Sequence, residues 1–198
     1  MKSNNTLIAL FISSLFILSS CNKKKEQTDV VETPVENVIG ENTEDDLIDD
    51  NGDPIIIGKQ KRATLESDPY KKWFDVSYKE HTLDTITMNS IKEDLANTDI
   101  TVFMGTWCED SQREVPAFFK ALDLAGIDAS TINLITISED KEAPEDLLEG
   151  KNVEYVPTII FEKEGNELGR IVEYSIFSIE KDMAKILKGE DYKHPYAE

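Results

Sequence analysis

The sequence predicts an α/β fold in which a central mixed β-sheet is flanked by helices and preceded by a helical extension. Three observations predict it. Apolar runs of four to six residues at 100–104, 132–137 and 158–161 have the length of buried strands. Stripes of apolar residues at helical spacing lie before, between and after them. Gly165-Asn166 supplies a hairpin turn signal that leads into a further strand at 168–174. The core order is therefore a β-α-β unit followed by β-β-α, with no internal repeat.

Each helix has its own signature. Met88, Ile91 and Leu95 recur at i, i+3 and i+7, which predicts a helix over 84–97. Val115, Phe118, Phe119 and Leu122 keep the same period on a helix that opens just after Cys108. A short helix is expected at 144–148. The last helix takes Ser178 as its N-cap, sets Ile179, Met183, Ile186 and Leu187 on one face and stops at Gly189. Ahead of these, Ser67-Asp68-Pro69 reads as a helix start with proline in the first turn. Tyr70, Trp73 and Phe74 follow at spacings that pack them on the domain.

The 198 residues suffice for one domain plus a leading segment, giving residues 1–21, 22–57, 58–83 and 84–198 as successive parts. A net charge of -19 repels nucleic acid phosphates, so no nucleic-acid partner is expected. Residues 1–21 read as an export signal, with Lys2 before an apolar run at 7–18 that is too short to span a bilayer. That run ends in Leu18-Ser19-Ser20-Cys21, which resembles the bacterial lipobox, and the resemblance implies lipidation at Cys21. Residues 22–53 hold eleven acids against three lysines and no aromatic residue. Such a stretch buries too little apolar area to offset its ordering entropy, so 22–57 reads as an acidic tether. Residues 58–83 read as the helical extension.

Lipidation of Cys21 leaves one thiol. Cys108 stands in Gly105-Thr106-Trp107-Cys108-Glu109-Asp110-Ser111, where a strand gives way to a helix. The first N–H groups of a helix lack intrahelical acceptors, and with the helix dipole they stabilise negative charge on a sulfur placed there. A lone cysteine is by default a small apolar residue. Further residues are needed to make it chemical.

Three elements supply them. Trp107-Cys108 with Ser111 resembles the Trp-Cys-x-x-Cys motif of the thioredoxin family, Pro116 falls where that family kinks the following helix, and Val156-Pro157-Thr158 resembles its cis-proline loop. Phe161 and Gly165 continue the family's strand-turn-strand pattern. The resemblance covers about 100–189 and implies a thioredoxin-like fold, with Cys108, Ser111 and Trp107 as reactive residues. It also implies that Val156, Pro157 and Thr158 offer backbone groups to a bound polypeptide.

Two departures limit what the site can do. Ser111 replaces the second cysteine, so an internal disulfide cycle is excluded, and Val102 stands where the family carries a buried acid. Glu109 and Asp110 replace its common neutral pair. What remains is monothiol exchange: Cys108 forms a mixed disulfide with a disulfide-containing protein or small thiol, Ser111 donates a hydrogen bond to the sulfur, and an external thiol releases the product. The alternative is a binding module of the same fold that holds partners without turnover. Gly105 stands where a peroxiredoxin needs threonine, and His81 and His194 lack any metal or hydrolase context, reading as surface residues. No cofactor or metal is expected. The expected location is the cell envelope, lipid-anchored, facing the periplasm or on the outer membrane.

Overall fold

The computed structural model describes residues 48–197. The expectations for Cys21, the lipobox and most of the tether lie outside these residues. The strands are β1 (Gly58–Gln60), β2 (Asp99–Met104), β3 (Asn133–Thr136), β4 (Thr158–Lys163) and β5 (Asn166–Val172). The helices are α1 (Arg62–Leu65), α2 (Lys71–Glu80), α3 (Thr85–Leu95), α4 (Glu109–Ala125), α5 (Glu145–Leu148) and α6 (Ile179–Leu187). The five strands form one sheet in the order β1-β3-β2-β4-β5. Only β2 and β3 run parallel; β1 against β3, β2 against β4 and β4 against β5 are antiparallel. This is the thioredoxin-like α/β architecture, a mixed sheet flanked by helices.

The period-two alternation of β2 explains how the sheet is covered. Ile100, Val102 and Met104 enter a large core with Met88, Ile91 and Leu95 of α3, Val115, Phe118, Phe119 and Leu122 of α4 and Ile179 and Met183 of α6. Phe103 faces the other way, into a smaller cluster with Ile135, Ile137, Val156 and Ile160 that is closed by Leu147 and Leu148 of α5. Complete burial of each such side chain contributes about 1.5–3 kcal/mol. Trp107 and Cys108 pack on the rim of this smaller cluster, so the thiol sits on the thinly covered face.

Several boundaries move. The hairpin turn is Glu164-Gly165, one residue earlier than expected, because both residues take positive φ (53° and 77°), as a type I′ turn requires. Pro69 does not open a helix; the Asp68–Pro69 peptide is cis, and α2 starts at Lys71 after a turn. The segment read as a helical extension begins with β1, whose three residues are too few to show alternation. The end of the supposed tether is also packed. Ile55 is buried, the Pro54 carbonyl accepts from the Tyr70 hydroxyl at 2.8 Å, and Lys72 pairs with Asp53. One buried isoleucine and the bonds of the two residues before it to Tyr70 and Lys72 hold a stretch that composition alone marks as solvated.

The strand expected at 168–174 is β5 at 166–172 and the helix expected over 84–97 is α3 at 85–95, while the last helix starts and stops as expected. Ser178 caps α6 by accepting from the Lys181 N–H at 3.3 Å, and Gly189, at φ 65°, follows its end in the left-handed conformation. Arg62 of α1 ties the extension to α4 through a forked pair with Asp123 at 2.6 and 2.8 Å. Its guanidinium lies over the rings of Phe74, Tyr78 and Phe119. The hydrogen bond to Asp123 outweighs burial and keeps Arg62 protonated well above its ordinary range.

Candidate functional site

The site forms where β2 ends and α4 begins. Cys108 is the N-cap residue of α4 in extended conformation, and no side chain caps the helix there. The backbone turns back on itself, with the Cys108 N–H donating to the Gly105 carbonyl at 3.2 Å and the Gln112 N–H to the Cys108 carbonyl at 2.9 Å. Cys108 is half-buried and the only free cysteine among the described residues.

The thiol meets the proline loop. The Val156–Pro157 peptide is cis, and the Val156 carbonyl accepts from Cys108 Sγ at 3.3 Å. Thr158 braces the loop from behind, its hydroxyl donating to the Tyr155 carbonyl at 2.7 Å. On the far side the Glu173 N–H donates to the Pro157 carbonyl at 2.7 Å, which binds the loop to the segment after β5. Trp107, Cys108, Val156 and Pro157 are thus brought together, and Pro116 lies within α4 as the motif implied.

Ser111 behaves differently from the expectation. Its side chain is fully buried, and its hydroxyl oxygen accepts from the Gly105 N–H at 3.2 Å. The thiol's hydrogen bond among the described residues goes to Val156, so Ser111 holds the turn and Val156 holds the sulfur. Val102, where the resemblance would place an acid, is fully buried among the apolar side chains of the large core.

Trp107 is pinned on three sides. Its indole N–H donates to the Ile137 carbonyl at 3.0 Å, its ring covers the Cα of Gly105, and Lys141 Nζ lies 4.9 Å from the ring centroid. The loop after β3 therefore abuts the reactive turn. Nothing in residue spacing could have placed Lys141 there. Arg113, in the first turns of α4, is bound to Asp110 at 2.5 Å and to Glu114 at 3.1 Å. Burial opposes its charge, but these hydrogen bonds prevail and hold it above its ordinary range.

Neither histidine is a bare surface residue. His81 Nε2 lies 2.7 Å from Oε1 of the buried Glu180. Burial of Glu180 opposes its ionisation, yet the hydrogen bond from His81 and the backbone brings its carboxyl below the usual range. His194 is half-buried, and burial with the nearby Arg170 charge lowers its affinity for a proton. A second buried acid, Asp182, accepts from the Ile176 and Phe177 N–H groups at 2.6 and 3.1 Å and from the Tyr192 hydroxyl at 3.0 Å. No group of three or more His, Cys, Asp or Glu side chains among the described residues is placed to hold a metal ion.

No protein-family model matches the chain. No curated protein matches it either. Among solved structures, it is similar to a protein of unknown function from Pseudomonas aeruginosa, PA1234, at 20% identity and a TM-score of 0.46, over 66% of this chain and 83% of that one. It is also similar to Fasciola hepatica thioredoxin at 18% identity and a TM-score of 0.32, over 52% and 89% of the two chains. Saccharomyces cerevisiae mitochondrial thioredoxin 3 aligns at 23% identity and a TM-score of 0.28, over 48% and 86%.

Proposed function

We propose that this chain is a monothiol thiol-disulfide exchange protein of the thioredoxin-like fold, acting through Cys108 and held at a membrane of the cell envelope by lipid on Cys21. The observation that carries the reading is the half-exposed Cys108 sulfur at the N-terminus of α4, 3.3 Å from the Val156 carbonyl of the cis-proline loop. A polypeptide laid along that loop would bring its own disulfide to the sulfur. Cys108, as thiolate, attacks one sulfur of the substrate disulfide; the S–S bond breaks, a Cys108 mixed disulfide forms, and the other sulfur leaves as a thiolate that takes up a proton. No second cysteine is described near the site, so an external thiol, or a second thiol of the substrate, must expel the product. Protein disulfides and low-molecular-weight thiols are both substrates of this class.

Ser111 supports slow release: buried and committed to Gly105, it leaves the adduct without an internal nucleophile. Acid-quenched protein from native membranes should carry disulfide-linked adducts on Cys108, and Cys108→Ser should lose them. A Cys108 that stays free in the parent, and that also fails to exchange with a small disulfide in vitro, would leave only the binding module of the same fold. Cys21 is tested separately, by metabolic labelling with a palmitate analogue.

A further inference from the structure

Resting on the exchange reading, we infer that the face around Cys108 selects polypeptide disulfides flanked by basic and apolar residues. Three loops build that face. The turn at the start of α4 contributes Glu109, the loop after β3 contributes Glu139, Asp140 and Glu142, and the approach to the proline loop contributes Glu154. All five are exposed, and none makes an ion pair among the described residues. The neighbouring cations are already engaged. Lys141 donates to the Glu139 carbonyl at 2.6 Å and lies on Trp107, Arg113 is bound by Asp110 and Glu114, and Lys185 pairs with Glu190 at 3.4 Å. Lys141 keeps its charge, so one cation without a carboxylate partner stands against these five exposed acids and the potential around the thiol is negative.

An apolar surface adjoins it. After the Glu173 bond to Pro157, the chain presents Tyr174, Ile176 and Phe177 at 42%, 44% and 62% exposure. This loop is held, since the buried Asp182 carboxylate takes the N–H groups of both Ile176 and Phe177. Apolar side chains fixed at such exposure beside the proline loop form a contact surface. Carboxylates on the β3 side of the thiol and a fixed apolar patch beyond the proline loop on the β5 side match a segment carrying both lysine or arginine and apolar residues. An acidic segment would meet repulsion at all three loops.

The test uses the full reduced chain and two cystine-linked peptide dimers, Lys-Leu-Cys-Leu-Lys and Glu-Leu-Cys-Leu-Glu, with blocked ends. Rates of mixed-disulfide formation, mapped to Cys108 by mass spectrometry, are divided by the rates of the same peptides with the neutral thiol 2-mercaptoethanol. The lysine peptide should be favoured about tenfold or more at low ionic strength, and the preference should shrink severalfold near 0.5 M salt, where the screening length is only about 4 Å. The variant E139Q/D140N/E142Q should lose most of the preference, while Phe177→Ser should slow both peptides alike. Equal corrected rates at Cys108 would overturn the selectivity and leave exchange standing. Absence of any adduct at Cys108 with either peptide would overturn the exchange reading and this inference with it.

Discussion

Gly105→Ala tests whether the reactive turn is built around the indole of Trp107. A methyl group at Gly105 would lie 2.5 Å from Trp107 Nε1 and 2.8 Å from its Cζ2, inside any real carbon contact. The obstacle is a rigid ring, so the indole must leave. Leaving breaks its hydrogen bond to the Ile137 carbonyl, a loss of about 1 kcal/mol. It also lifts the ring from Lys141, a loss of about 0.5–1 kcal/mol at a partly exposed site. The expected destabilisation is then about 1.5–2 kcal/mol, within the range of about 1–3 kcal/mol for overpacking. In a domain of this size each kcal/mol moves Tm by about 2–4 °C, so Tm should fall by about 3–8 °C. Calorimetry measures it, and the Trp107 indole proton in an NMR spectrum should shift as its acceptor is lost. In the Trp107→Ala background, Gly105→Ala should cost almost nothing, since the clash is gone. A Tm and an indole resonance unchanged by Gly105→Ala, or an equal cost in both backgrounds, would refute this account of the turn.

Ser111→Cys places a second thiol one helical turn from Cys108, and oxidation should join them and bring insulin-reductase activity; Cys108→Ser should abolish adducts in either background. Asp123 is desolvated, yet its bonds to Arg62 and Tyr78 hold its carboxyl below the ordinary value of 3.8. Its stabilising contribution is thus complete above that value and lost as pH falls through the lower folded one, so Asp123→Asn should flatten the acid limb of the Tm profile below about pH 4. Cys21→Ala should release the protein from carbonate-washed membranes while the domain keeps its Tm.

The parts of the fold that were legible are those whose residues face one environment throughout. The runs at 100–104 and 158–161 lie in strands covered on both faces, so continuous apolar residues mark them. α3 buries one stripe, and in α4 and α6 the large apolar side chains keep the helical period although burial extends around them, so period locates all three. β1 and the stretch before it were not legible for a physical reason. Gly58–Gln60 is ordered by pairing with β3, a partner more than seventy residues away, as the Gly58↔Thr136 register shows. Asp53 and Pro54 are held by Lys72 and Tyr70, more than fifteen residues on. Composition weighs only what a segment could bury within itself, and these segments are ordered by what they meet.

The site divides along the same line. Trp107, Cys108 and Pro157 were legible because motif spacing encodes a local turn and a loop, and those two meet whenever β2 and β4 pair, as Phe103↔Thr158 does. The partners of those residues are set by tertiary contact. Ser111 lies one turn along α4 from Cys108, and the strand end brings the Gly105 N–H to its oxygen. A buried N–H without an acceptor costs about 1–3 kcal/mol, and the hydroxyl oxygen meets that need for Gly105 with a lone pair while keeping its own proton. The sulfur's own hydrogen bond goes to the Val156 carbonyl of the proline loop. Serine at 111 therefore does more than leave out a thiol: its oxygen ties the start of α4 to the end of β2, while the hydrogen bond of Cys108 reaches the proline loop.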